Sequence, residues 1–315
     1  VSAQNIDVNT TNNINPLNEV LIDETIATSN ELTNKSSIIS NDLEKYYKDD
    51  KGFCATFYNE NGTPLTNKNI TFSVNGVSYI KTTDNNGTAK LNINLESGNY
   101  TIISYNPTTN ETITNNITVL SSINGNDLTK YFKNATQYSV TLYDKTGKAL
   151  VNKTVRFNIN GIFYERKTNE KGVAQLNINL DPGNYIVTVY NLITGEEKSN
   201  NINVVSRIQL LDLNNASNVI LPEGYVIPVM FIGNGKAYAQ CRATTLDEKG
   251  NPLANQLVTF NINGIIYKGT TDKFGIIDAI IYVNADWGNT YHICTATFGE
   301  SFASQTVIVK RFVMG

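Results

Sequence analysis

Residues 157–189 read FNINGIFYERKTNEKGVAQLNINLDPGNYIVTV, and the alternation within them decides the fold. Phe157 and Ile159, Ile162 and Tyr164, then Ala174, Leu176, Ile178 and Leu180, then Tyr185, Val187 and Val189 are apolar at every second position. A helix would repeat its apolar stripe at a period of about 3.6, so a period of two specifies half-buried strands. Asn160-Gly161 separates two of these runs and marks a tight hairpin, because a type I′ turn needs positive φ at both central residues. Residues 169–172 and 181–184 supply the turn-forming side chains that end the next strands.

The same text occurs three times. Upstream by 85 residues, FSVNGVSYIKTTDNNGTAKLNINLESGNYTIIS places Phe72, Gly76, Tyr79, Gly87, Gly98 and Tyr100 on Phe157, Gly161, Tyr164, Gly172, Gly183 and Tyr185 without a gap. Downstream by 103, FNINGIIYKGTTDKFGIIDAIIYVN brings Phe260, Gly264, Tyr267 and Gly275 into register. A repeat of this length built from short strands reads as an array of β-sandwich domains. A one-residue slip would turn every buried face outward, so the register is specific.

The chain has 315 residues, room for two or three cores. The expected class is all-β, a tandem array of three sandwiches preceded by an extended N-terminal arm. The arm spans 1–45, the first domain 46–122, the second 123–207, an apolar insertion or linker 208–235, and the third domain 236–315. Linkers of a few residues predict a semi-rigid rod.

Net charge is −3 and only 17% of residues are charged, so no basic surface recruits nucleic acid or anionic lipid. No run reaches the roughly 20 apolar residues of a membrane span. The first residue is Val1, which suggests a chain trimmed after a secretory signal. Asn-x-Ser/Thr sequons at Asn61, Asn69, Asn86, Asn99, Asn110, Asn116, Asn134, Asn152 and Asn215 suit an exported glycoprotein, although a chain rich in Asn and Thr also produces the motif by chance.

The arm has its own logic. Ser36-Ser37-Ile38 lies one repeat before Ser121-Ser122-Ile123, which in turn lies one repeat before Ser206-Arg207-Ile208. The two later trios follow a closing strand, so the residues before Ser36 occupy the position of a closing strand with no domain of its own. Val20, Leu21, Ile22 and Ile26 give it apolar side chains. Such a segment either adds a strand to a neighbouring subunit's sheet or folds back on its own first domain. In the insertion, Val219, Ile220 and Leu221, and Tyr225, Val226, Ile227, Met230 and Phe231, form two apolar runs around Pro222-Glu223-Gly224. They pack on their own domain or form an exposed interface.

Cys241 aligns with Phe53 and Tyr138 on an inward strand face, and Cys294 lies in a late strand that can face it, so a Cys241–Cys294 disulfide is expected. Cys54 falls out of phase with the inward set and is a free thiol or an intermolecular link. His292 is the chain's one histidine and sits in a strand without a nucleophile motif, which argues against catalysis. Turns beginning at Asn59, Asp144 and Asp247 lack the alternating carboxylates of a calcium loop, so no metal or cofactor is expected. Lys48, Lys133 and Lys236 at the domain openings, with Asn116 and Asn201 in closing strands, leave a Lys–Asn isopeptide bond open, without an identifiable acid to catalyse it.

The second copy, YFKNATQYSVTLYDKTGKALVNKTVRFNINGIFYERKTNEKGVAQLNINLDPGNYIVTV, resembles the immunoglobulin-like repeats of adhesin-like surface proteins of methanogenic archaea, relatives of invasin-type Ig-like repeats. The likeness rests on the YxK opening, the D-x-x-G-x-x-L turn at 144–150 and 247–253, the NGxxY hairpin and the PGNY corner. That corner is similar to the tyrosine corner of Ig sandwiches, with Tyr185, Tyr100 and Tyr291 as candidates, although Trp287 and extra residues disturb the third copy. The resemblance implies an extracellular, non-enzymatic role in a stalk or in adhesion. Two functions follow: a structural subunit that polymerises with copies of itself through the arm into a surface filament or layer, and an adhesin stalk whose partner is a cell-wall or host-surface glycan.

Overall fold

The computed structural model describes residues 35–211, 223, 235–287 and 290–311. Two compact units divide at Val1–Ser36 and Ser37–Gly315, and all three sandwiches lie in the second. The candidate donor residues Val20, Leu21, Ile22 and Ile26, the sequon Asn215, and the interface candidates Val219, Ile220, Leu221, Tyr225, Val226, Ile227, Met230 and Phe231 lie outside the described residues.

The first sandwich contains β1 (Ile38–Ser40), β2 (Leu43–Tyr46), β3 (Gly52–Phe57), β4 (Asn69–Val74), β5 (Val77–Thr82), β6 (Thr88–Asn92), β7 (Gly98–Tyr105) and β8 (Thr112–Leu120). One sheet runs β1-β3-β6 and the other β2-β8-β7-β4-β5. The second sandwich repeats this plan with β9 (Ile123–Gly125), β10 (Leu128–Tyr131), β11 (Gln137–Leu142), β12 (Thr154–Ile159), β13 (Ile162–Lys167), β14 (Val173–Asn177), β15 (Gly183–Asn191) and β16 (Glu196–Val205). Its sheets are β14-β11-β9 and β10-β16-β15-β12-β13.

The third comprises β17 (Ile208–Leu210), β18 (Ala237–Thr245), β19 (Leu257–Ile262), β20 (Ile265–Thr270), β21 (Ile276–Val283), β22 (Tyr291–Phe298) and β23 (Ser301–Arg311). Here β18 pairs with β23 as well as β21, which joins the two layers at one edge. Two limits differ from those expected. The first sandwich begins before residue 46, because β1 and β2 belong to it, and β17 belongs to the third sandwich rather than to an insertion starting at 208.

Alternation produces the cores. In β12, Val155, Phe157 and Ile159 are buried while the residues between them face outward. Facing strands meet edge-on through aromatic pairs: Phe53 with Phe72, centroids 5.6 Å apart, and Tyr138 with Phe157 at 6.1 Å. This is the arrangement a ring quadrupole favours. Register is pinned at the hairpins. Asn160 and Gly161 have φ of 52° and 79°, and the equivalent pairs Asn75-Gly76 and Asn263-Gly264 have the same signs, so each is the I′-type turn the sequence calls for.

Removing a core aromatic should cost far more than trimming an outward side chain of the same sheet. Phe72→Ala is expected to destabilise the first sandwich by about 3–5 kcal/mol. Ile80→Ala, at a position 70% exposed, should stay within about 0.5 kcal/mol. Hydrogen exchange of the β4 and β7 amides reads both values within that sandwich.

Candidate functional site: the sandwich junctions

The chain places its specific chemistry where one sandwich meets the next. Tyr46 closes β2 of the first sandwich and lies over the turn that follows β11 in the second. A Cβ added to Gly147 would sit 2.3 Å from the Tyr46 ring, so only glycine, at φ of 84°, admits the aromatic there. Tyr143 flanks the same ring at 5.8 Å, and Lys145 pairs with Asp50 across the junction. The second junction uses the same parts. Tyr131, one repeat after Tyr46, covers Gly250, where a Cβ would come within 2.3 Å of its hydroxyl. Asn134 Nδ2 donates to the Glu248 carbonyl at 2.6 Å, and Lys133 pairs with Glu300.

Each receiving turn is preset. The Asp144 carboxylate accepts from the backbone N–H groups of Thr146 and Lys148, and Asp247 accepts from Lys249 and Asn251. Asn59 does the same for Asn61 and Thr63 in the first sandwich. In each turn one side-chain oxygen, Oδ1, is tied to the turn's own backbone, as in an Asx-turn. No group of metal-binding side chains occurs among the described residues.

Two polar devices hold the strand that ends at the junction. Asp42 accepts from the Asn116 backbone N–H at 2.8 Å, from Asn116 Nδ2 at 3.1 Å and from Asn115 Nδ2 at 3.2 Å. Asp127 repeats this with Asn200 and Asn201. The backbone bond leads the causes that hold both carboxyls below the usual carboxylate value. Inside the sheet, Lys45 is 3% exposed and donates to the carbonyls of Asp49, Lys51 and Ile93, while Lys130 donates to those of Asn134 and Ile178. Burial lowers both lysine pKa values.

The sequence placed some of these groups and missed others. The tyrosine corner is present in two copies: Tyr100 donates to the Glu96 carbonyl at 2.9 Å and Tyr185 to the Asp181 carbonyl at 2.8 Å. Tyr291 is 72% exposed and makes no such bond among the described residues, since a 3-10 turn at Ala285–Trp287 displaces the third corner. The Asp42 and Asp127 clamps were legible only as an Asp one repeat apart. Thr83, Thr168 and Thr271, buried and donating to the carbonyls of Leu65, Leu150 and Leu253, gave no signal beyond their recurrence.

Cys241 and Cys294 do come together across the third core, both fully buried, with Sγ atoms 3.3 Å apart. The expected disulfide is not formed; 3.3 Å exceeds the roughly 2.05 Å of an S–S bond, and the cysteines are free. Its hydrogen bond with Cys294 and its burial raise the Cys241 thiol above its ordinary value. Cys54 is exposed and also free. His292 bonds Asn263 and Thr290 and stacks on Trp287 at 4.8 Å. Of the lysines and asparagines named for an isopeptide bond, Lys133 pairs with Glu300, Asn116 with Asp42 and Asn201 with Asp127.

Of the sequons, Asn61, Asn69, Asn86, Asn99, Asn110, Asn116 and Asn152 are exposed, and Asn134 is half-buried in the second junction. Among the described residues no helix is long and apolar enough to cross a membrane.

No protein-family model and no curated protein matches the sequence. Among solved structures, invasin, a bacterial integrin-binding protein, is similar over 88% of this chain and 59% of its own, at 14% identity and a TM-score of 0.25. A Ca2+-stabilised, ice-binding adhesin of an Antarctic bacterium is similar over 89% of this chain and 74% of its own, at 13% identity and a TM-score of 0.21. Domains 4–9 of the surface-layer protein SbsC are similar over 82% of this chain and 42% of their own, at 14% identity and 0.19. Chains with such scores do not superpose as wholes, so the role of this chain rests on its own geometry.

Two outcomes are expected of the junctions. Tyr46→Ala should leave each sandwich folded while loosening the first against the second, read as a wider distance distribution between spin labels on the two; Lys145→Ala, which removes an exposed ion pair, should leave the melting temperature nearly unchanged. For the clamps, the folded carboxyls titrate below the ordinary value of 3.8, so their contribution is complete above that pH and is lost as pH falls through the folded values. Asp42→Asn combined with Asp127→Asn should therefore reduce the fall in melting temperature between neutral and acid pH, with Asp50, Asp144 and Asp247 supplying what remains.

Proposed function

We propose that this chain is an extracellular structural subunit of a surface filament or layer, assembled when the N-terminal arm adds as a β-strand to a neighbouring copy. The observation that carries this reading is the twice-built junction, Tyr46 on Gly147 and Tyr131 on Gly250. A chain that fixes successive sandwiches with the same parts, and gathers no catalytic set among its described residues, is organised to hold a spacing. Edge strands offer the acceptor. β5, β13 and β20 end their sheet paths and carry outward apolar side chains, including Ile80, Phe163 and Ile266, and a row of unpaired backbone groups on such an edge takes up an added strand. The resemblance to methanogen adhesin-like repeats belongs to the same reading.

A second reading, an adhesin stalk with a glycan ligand, has one observation in its favour. Trp287 stacks on His292 on the third sandwich, and rings of this kind suit a sugar face. Negative-stain microscopy decides between the two. The full chain is expected to form filaments of regular axial repeat, and the chain lacking residues 1–36 only separate particles. Filaments unchanged by that deletion would sink the strand-donation step. Separate particles from the full chain, with glycan-array binding lost in Trp287→Ala, would replace the first reading with the second.

A further inference from the structure

The outer face of the five-stranded sheet in the first sandwich carries a feature that its twin lacks. Antiparallel register sets Asn99 opposite Thr118 and Thr101 opposite Asn116 on β7 and β8. Two sequons, Asn99-Tyr100-Thr101 and Asn116-Ile117-Thr118, thus face each other head to tail. Alternation along a strand puts each asparagine and its hydroxyl partner two residues on at the same face, and Asn99, Thr101 and Asn116 are exposed. One repeat later the asparagines persist as Asn184 and Asn201, but Ile186 and Asn203 stand where the hydroxyls were. The two sheets share register, Asn184 opposite Asn203 and Ile186 opposite Asn201, so the backbone presents these positions alike and only the threonines differ.

The two acceptors are not equivalent. Asn116 has its Nδ2 bound to Asp42 at 3.1 Å and its backbone N–H on the same carboxylate. Asn99 makes no side-chain hydrogen bond among the described residues, and it sits directly beside Tyr100, whose hydroxyl bond to Glu96 fixes the corner from which it projects. Asn134 commits its Nδ2 to the second junction.

We propose that Asn99 is an N-glycosylation site, so that the outer face of the first sandwich carries a saccharide and the matching face of the second stays bare. The donor class is a saccharide linked through phosphate to a polyprenyl lipid. Its C1–O(phosphate) bond breaks as the C1–Nδ2 bond to Asn99 forms; the lipid phosphate leaves with the electron pair, and the amide proton passes to a base of the transferase. This rests on the extracellular reading above, because such transfer accompanies export.

The test is glycopeptide mass mapping of the chain from the cells that make it, with protease shaving of intact cells to locate it. Expected are a saccharide mass on the Asn99 peptide, its loss in Thr101→Ile, and unmodified Asn184 and Asn134. Thr101→Ile copies the residue the second sandwich already tolerates at Ile186, so folding is preserved. The reverse change, Ile186→Thr, should add a saccharide at Asn184. A surface-exposed chain with a bare Asn99 overturns the proposal and leaves the structural role intact. A chain that shaving never reaches overturns the extracellular reading itself.

Discussion

Two residues held at positive φ, Asn160 and Gly161, determine which side chains of β12 and β13 share a face. A tight turn of this hand matches the twist of the strands it joins, so the pairing of Phe157 with Tyr164 is specified locally. From that pairing follows the neighbour on the other side, Phe157 opposite Val189, and through it the burial of Phe157 against Tyr138. Displacing the turn by one residue would send Val155, Phe157 and Ile159 into water together. The first and third sandwiches repeat the constraint with Asn75-Gly76 and Asn263-Gly264, which is why one description of the core serves three segments of differing composition.

The third sandwich shows how far this frame can be altered. Its inward position on the early strand is Cys241 where the others have Phe53 and Tyr138, and its facing strand supplies Cys294. Arg242 and Asp278 form an ion pair at 2.5 Å, 4% and 2% exposed, at positions occupied by Cys54 with Lys90 and Ser139 with Gln175 in the other copies. Desolvating two charges is tolerated only when each satisfies the other. The extra β18–β23 pairing further departs from the two-sheet plan of its siblings.

What could be read from the residues divides along physical lines. Strand positions, hairpins and the two tyrosine corners were legible, because each depends on side chains within a few positions of one another, as Tyr100 and Glu96 do. Junction chemistry was not. Gly147 reads as an ordinary turn glycine until Tyr46, a whole domain earlier, is found lying on it. The start of the first sandwich was misplaced for the same reason: Ile38–Ser40 is too short to alternate visibly, and its place is set by pairing with Phe57, Thr56 and Ala55. Lys45 has a charged residue's signature in a strand and yet is buried, since three carbonyls converge on its ammonium group.

The parallel pairing of an opening strand with a closing one has a mechanical side. β2 runs alongside β8 from Leu43 opposite Ile117 to Tyr46 opposite Leu120, and β10 runs alongside β16 in the same sense. Tension applied through the chain ends draws such neighbours past each other lengthwise. All the rungs of the ladder are then loaded in shear at once and none can peel open first, so each of these two domains resists stretching as a single clamp until its rungs rupture together.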